Sequence, residues 1–99
     1  MNRVFKALSD ATRRRVLQLL RERPMTAGEL AAHFPSSKAT MSAHFAVLRE
    51  ADLIEADKHG QSITYTLRLS VLEDALLTFA ETFGIGVAAP ARAASEKGA

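Results

Sequence analysis

Apolar positions along this chain recur at two different periods, and the change falls near residue 52. Before it the spacing is helical. Val4, Phe5 and Leu8 mark a short first helix within NRVFKALS. Val16, Leu17, Leu19 and Leu20 form the stripe of a second helix, ATRRRVLQLLRER, which Asp10 can cap and Pro24 stops. Thr26 and Glu29 stand at capping-box spacing before a short third helix, expected to run through His33 or Phe34. Pro35 breaks it, and Ser36 or Ser37 caps a fourth, in which Met41, Phe45 and Leu48 recur up to about Ala51. Asp52 is expected in the left-handed turn that ends this helix, a position that favours Gly and tolerates Asp.

Beyond that point the period becomes 2. LIEAD and SITYTL alternate apolar with polar residues around KHGQ, where Gly60 can take a positive φ, so the segment reads as a β-hairpin. Ser70 and Glu73 have the spacing of a second capping box, opening a final helix striped by Leu72, Leu76, Phe79, Ala80 and Phe83 and ended by Gly84. The stretch IGVAAPARAASEKGA carries no stripe. The expected organisation is a domain over residues 1–84 and a flexible or disordered tail over 85–99. Four helices, a hairpin and a fifth helix make a mainly α (α+β) fold, a winged helix-turn-helix whose defining motif spans residues 26–67.

The fourth helix raises a question of its own. Opposite its apolar stripe stand Lys38, Ala39, Ser42, Ala43 and Ala46, with little bulk and almost no charge. A helix entering the DNA major groove needs such a face, since the groove is only about 12 Å wide. Ser37, Lys38, Thr40 and Ser42 can then meet phosphates or base edges, and the methyls of Ala39 and Ala43 can pack on thymine methyl groups. The alternative is a helix covered by another protein, where small residues also permit close approach.

Composition narrows the remaining possibilities. The chain has 99 residues, enough for one small core, and no cysteine, which removes disulfides, thiolate metal sites and cysteine nucleophiles together. No run approaches the roughly 18 apolar residues of a membrane span, and the opening MNRVFKALSD has no long apolar core of a secretory signal; a soluble, cytoplasmic chain without membrane insertion is expected. No acid–base pair, nucleophile or phosphate loop suggests an enzyme, and no cofactor is expected. The net charge is only +2, but Arg13, Arg14, Arg15, Arg21, Arg23 and Lys38 lie in the first half while Glu73, Asp74 and Glu81 crowd the last helix, a distribution suited to a polyanion on one face.

Individual residues sort accordingly. Arg14 or Arg15 can contact phosphate or lie on a solvated face, and Arg13 can bond back toward Asp10. His44, beside the buried stripe, reads as a partly buried, hydrogen-bonded histidine rather than a base contact. Lys58, His59 and Gln61 at the hairpin tip are candidates for backbone or minor-groove contact. The last helix offers carboxylates without histidine, a poor transition-metal donor set, so no metal is expected. Leu72, Leu76, Phe79 and Phe83, with Val4, Phe5 and Leu8, exceed what one small domain can cover and predict a dimer seam. An isologous dimer would set two fourth helices roughly 34 Å apart and read a pseudo-palindromic operator.

VFKALSDATRRRVLQLL, MTAGELAAHF, SKATMSAHFAVLREADLI and HGQSITYTL follow one another as in the ArsR-type winged-helix repressors, over about residues 3–80. Within that group the chain most resembles the small, cysteine-free SdpR-like autorepressors. The resemblance implies a homodimer, joined by its first and last helices, that represses transcription by occupying double-stranded operator DNA. Ala11, Asp52 and Ala43 stand where relatives usually have Pro, Gly, and His or Arg, and His59-Gly60-Gln61 lacks the Arg or Lys many relatives place beside the Gly. Release would fall to a protein or small-molecule effector. The rival readings are a winged-helix protein-interaction module and a metal-responsive sensor of the same family.

Overall fold

The chain opens with α1 (Asn2–Leu8), which turns at once into α2 (Ala11–Glu22). The turn is set by Asp10: its side chain accepts the Arg13 amide at 3.1 Å and so satisfies one of the orphan donors of the first turn. Helix α2 buries Val16, Leu17, Leu19 and Leu20, the four residues of its apolar stripe. The computed structural model describes residues 2–86; the expected tail at 85–99 therefore lies almost wholly outside the described residues.

A two-residue strand, β1 (Met25–Thr26), precedes α3 (Ala27–Ala31), and the predicted capping box at the head of α3 is complete. The Thr26 amide donates to Glu29 at 2.9 Å and the Glu29 amide donates to the Thr26 hydroxyl at 3.1 Å. Helix α3 closes earlier than its pattern predicts. Its last bonds, His33 N–H to Leu30 and Phe34 N–H to Ala31, are tightened three-residue turns ahead of Pro35.

Helix α4 (Lys38–Glu50) begins at Ser37, whose hydroxyl accepts the Thr40 amide at 3.1 Å. It ends as Asp52 demands. Asp52 has φ of 59°, its amide donates to the Arg49 carbonyl at 2.9 Å, and the Leu53 amide reaches the Leu48 carbonyl at 3.1 Å. These two bonds form a Schellman closure built on Asp in place of Gly.

The hairpin follows as β2 (Ile54–His59) and β3 (Ser62–Leu67), paired from Ile54–Leu67 to His59–Ser62. Gly60, with φ of 61°, opens the two-residue connection. Strand β1 adds to the outer edge of β3 through Met25–Tyr65 and Thr26–Thr64, giving an antiparallel sheet of order β1-β3-β2. That third strand has no counterpart in the sequence pattern, because two residues are too few to show a period.

The last helix, α5 (Leu69–Thr82), corrects one expectation. Ser70 is not its N-cap, and the Ser70–Glu73 capping box does not form. Arg68 holds the cap position without a side-chain bond, since a guanidinium has no acceptor for the first-turn amides, and its own amide is still committed to the Leu53 carbonyl at 2.8 Å. Sheet pairing thus continues to the residue before α5, and the helix starts at Leu69. Gly84 ends it with φ of 66° and a second Schellman closure, Ile85 N–H to Ala80 at 2.8 Å.

The core lies where α1, α2, α3 and α4 meet the sheet. Val16, Leu30, Met41, Leu48 and Leu53 are its most deeply buried large side chains, and the Phe45 and Tyr65 rings pack at 4.9 Å between α4 and β3. Burial raises the Tyr65 phenol above its ordinary pKa, against the opposing charge of Arg49. Helix α5 is different. Of its fourteen residues only Ala80 is buried.

Candidate nucleic-acid interface

The helix-turn-helix is positioned by what it buries. Met41, Phe45 and Leu48 are inside, which turns Lys38, Ala39, Thr40, Ser42, Ala43 and Ala46 outward, with Ser37 at the helix head. These residues form one continuous exposed face. Its charge comes from Lys38 at one end, Arg49 and Glu50 at the other, and the positive pole of α4 itself. The Ser37 hydroxyl, while accepting the Thr40 amide, also lies 3.0 Å from the Thr40 hydroxyl, so the first turn presents a linked pair of oxygens. Beside this face, Lys38, Met41, Ser42 and Phe45 line a hollow of about 220 Å³ with Ala27, Gly28 and Ala31 of α3. The small residues of α3 keep the approach to α4 open.

The wing follows α4 directly in the chain, through β2 and β3. Lys58, His59 and Gln61 are exposed at its tip. The His59 ring nitrogen Nε2 lies 3.0 Å from Asp57 Oδ2, with both side chains about 70% exposed. The tip therefore carries a carboxylate close to Lys58, which weakens the attraction that Lys58 alone would offer a phosphate.

Arg14 stands apart from that surface. Its guanidinium donates to the Leu8 carbonyl at 2.7 Å, and it lines a separate hollow of about 190 Å³ between α2, β3 and α5 to which α4 contributes nothing. Arg15 donates to Gln18 at 3.3 Å on the exposed side of α2.

His44 is partly buried and hydrogen-bonded, as its place beside the stripe suggests. Its Nδ1 lies 3.2 Å from Arg13 Nη1 and 4.0 Å from Asp10 Oδ1. The spacing allows Arg13 to bond back toward Asp10. Only its backbone goes there: the side chain reaches past the cap to the Ala7 carbonyl at 2.8 Å, the Lys6 carbonyl at 2.9 Å and His44. The Arg13 amide holds the Asp10 carboxyl below its ordinary pKa, and the Thr26 amide does the same for Glu29, helped by the Arg23 guanidinium 3.3 Å away.

The residues expected at a dimer seam divide. Leu76, Phe79 and Phe83 are exposed, Phe83 by 64%, and they continue into Leu77 and Ile85, which the stripe did not single out. Phe5, Phe79 and Phe83 pack in a row, the first pair edge to face and the second tilted, with ring centroids 5.0 and 4.8 Å apart. Leu8 and Leu72 are half-buried against the core. Val4 is a core residue of its own chain, 6% exposed, with little left to offer a partner. Among the described residues, no group of three His, Asp or Glu side chains is placed to hold a metal ion, and no helix is long and apolar enough to cross a membrane.

A tight pair of helices, the second with an exposed small-residue face, followed directly by a two-stranded wing, defines a winged helix-turn-helix of the DNA-binding kind. Residues 8–57 match the family model described as a helix-turn-helix domain. Over 76 residues the chain is 47% identical to the transcriptional repressor SdpR of Bacillus subtilis, covering 77% of this chain and 84% of that protein. It is 41% identical over 64 residues to the HTH-type transcriptional regulator KmtR of Mycobacterium tuberculosis, covering 65% of this chain and 49% of the relative. A solved ArsR family transcriptional regulator superposes with a TM-score of 0.78 at 30% identity, over 84% of this chain and 91% of the other. The chain belongs to the ArsR family of winged helix-turn-helix transcriptional regulators.

Proposed function

We propose that this protein is a homodimeric transcriptional repressor that occupies a pseudo-palindromic operator, regulates its own expression and needs no metal. Residues 1–84 act as one DNA-binding and dimerisation unit, working in the cytoplasm by occupancy rather than catalysis. The observation that carries this reading is the face of α4: exposed, small-sided and nearly uncharged along its middle, with Lys38 and the helix N-terminus at its head. The 47% identity to a named transcriptional repressor supports repression over activation.

In this reading α4 lies in the major groove. Its N-terminus and Lys38 meet phosphate, Thr40 and Ser42 exchange hydrogen bonds with base edges or phosphate, and Ala39 and Ala43 pack on thymine methyls. Lys58, His59 and Gln61 follow the backbone beside the adjacent minor groove, with Asp57 moderating that contact. Arg14 is committed to the Leu8 carbonyl and would reach DNA only by releasing it. The apolar face shared by Phe5, Leu76, Phe79 and Phe83 closes against its equivalent in the second subunit. Effector binding, by a protein or a small molecule, would act at that seam.

The double variant Lys38→Ala, Ser42→Ala tests the placement of α4. It should weaken specific binding by about 2–3 kcal/mol, read by fluorescence anisotropy on an operator selected from a random duplex pool. Wild-type affinity in the double variant would move the interface off α4 and favour a protein-interaction module.

A further inference from the structure

We propose that Arg13 is a positioning residue for DNA reading, locking the recognition helix α4 to the seam helix α1. The inference rests on the reading above, in which α4 meets DNA and α1 belongs to the dimer seam.

The geometry starts from the end of α1. A helix leaves its last carbonyls without intrahelical partners, and here those carbonyls point at α2. Arg13 takes two of them, Ala7 through Nε at 2.8 Å and Lys6 through Nη2 at 2.9 Å. Its third donor, Nη1, faces Nδ1 of His44 at 3.2 Å. Guanidinium is planar and presents five N–H groups in a fixed fork, so bonds to α1 along one edge orient the remaining donor toward α4. The Arg13 backbone is fixed as well, because its amide donates to Asp10 Oδ1 at 3.1 Å. One residue therefore joins α1, the α2 cap and α4.

His44 is well placed to receive that link. It is flanked by the exposed Ala43 and the buried Phe45, so its ring lies at the border between the core and the proposed DNA face. Nδ1 accepts from Arg13 only when the ring is neutral with its proton on Nε2. Asp10 Oδ1 also lies 4.0 Å from the same nitrogen. In a two-fold dimer the spacing of the two recognition helices depends on how each is tied to its own seam helix. Base contacts tolerate misplacement of only about 0.5 Å, whereas attraction to phosphate tolerates much more. Losing the Arg13 link should therefore lower specificity while sparing sequence-independent affinity.

The test compares Arg13→Ala, Arg13→Lys, His44→Ala, His44→Asn and Arg13→Ala with His44→Ala, using the full chain. Each is titrated against the duplex selected by wild type and against a scrambled duplex, with sedimentation equilibrium for the dimer constant and circular dichroism for folding. Arg13→Ala and His44→Ala should each cut the operator-to-scrambled affinity ratio about tenfold, comparable to one mismatched base pair. The double variant should be no worse than either single. Arg13→Lys should not restore the ratio, lacking the fork, and His44→Asn should, because its amide oxygen can stand in for Nδ1. Wild-type ratios in both alanine variants, or strictly additive losses, overturn the proposal, as does a change confined to the dimer constant. If Arg13→Ala does not fold, equal ratios in His44→Ala and His44→Asn overturn it. A wild-type protein that prefers no sequence overturns the reading of α4 itself, and this inference with it.

Discussion

If the chain dimerises as proposed, Phe83→Asp should separate the subunits while leaving each one folded. Phe83 is 64% exposed, and a phenylalanine can bury about 200 Å², so roughly 130 Å² of apolar surface stands open on each subunit. Covering both copies in a two-fold seam would contribute at most about 6 kcal/mol at roughly 25 cal/mol per Å². Half that cover still stabilises the dimer by about 3 kcal/mol, a factor of roughly 100 in its dissociation constant. The aspartate must also be desolvated to enter the seam, which adds to the loss. Within one subunit the cost is small: the packed neighbour given up is the Phe79 ring at 4.8 Å, an aromatic pair of about 1 kcal/mol. Sedimentation equilibrium over a wide concentration range reads the first quantity and thermal melting at low concentration the second. A dimer constant unchanged from wild type would refute the seam, and an unfolded variant would refute the claim that Phe83 is spare in the single chain.

Three other perturbations probe the scaffold. Asp52→Gly should raise stability by up to about 1 kcal/mol, since φ of 59° costs a non-glycine residue strain, with the gain read from the denaturant midpoint; a loss would mean that the Asp52 side chain makes a compensating interaction. Asp10 and Glu29 both titrate below their ordinary values, so their capping contributions are complete above the ordinary carboxylate range and are lost as the pH falls through and below roughly 4. Acid titration followed by circular dichroism should show this loss, and Asp10→Asn should keep the cap while removing that residue's share of the pH dependence. Leu48→Ala, fully buried in the last turn of α4, should cost about 2–5 kcal/mol by chemical denaturation; a loss below about 1 kcal/mol would show that the core beneath α4 is not close-packed.

What the sequence carried plainly was punctuation. Asp10, Thr26 with Glu29, Ser37, Asp52, Gly60 and Gly84 each act through their own backbone or one three residues away, and each holds the conformation its chemistry predicts. The misses are long-range. Ser70 and Glu73 have the right local spacing, but the Arg68 amide is claimed by Leu53, fifteen residues earlier in the chain, and that bond decides where α5 begins. Strand β1 exists because Tyr65 and Thr64 offer a free edge to Met25 and Thr26. Val4 shares a stripe with Phe5 and Leu8, yet only the first is fully buried while the others stay half-exposed, which depends on where α2 and α4 cross α1. The exposed face of α4 was legible because its buried residues repeat at helical spacing. The reach of Arg13 to His44 was not, because a long side chain bridging 31 positions leaves no local pattern.

In the proposed assembly α4 reads DNA from a dimer. The most direct measurement is anisotropy of the full chain on its selected duplex and on a scrambled control, across a range of salt concentrations. Tight binding to the selected duplex, well above the control, with the logarithm of affinity falling linearly against the logarithm of salt, is the predicted result, and the slope counts the phosphates engaged. Equal, salt-insensitive binding to both duplexes, or none at low salt, would contradict it.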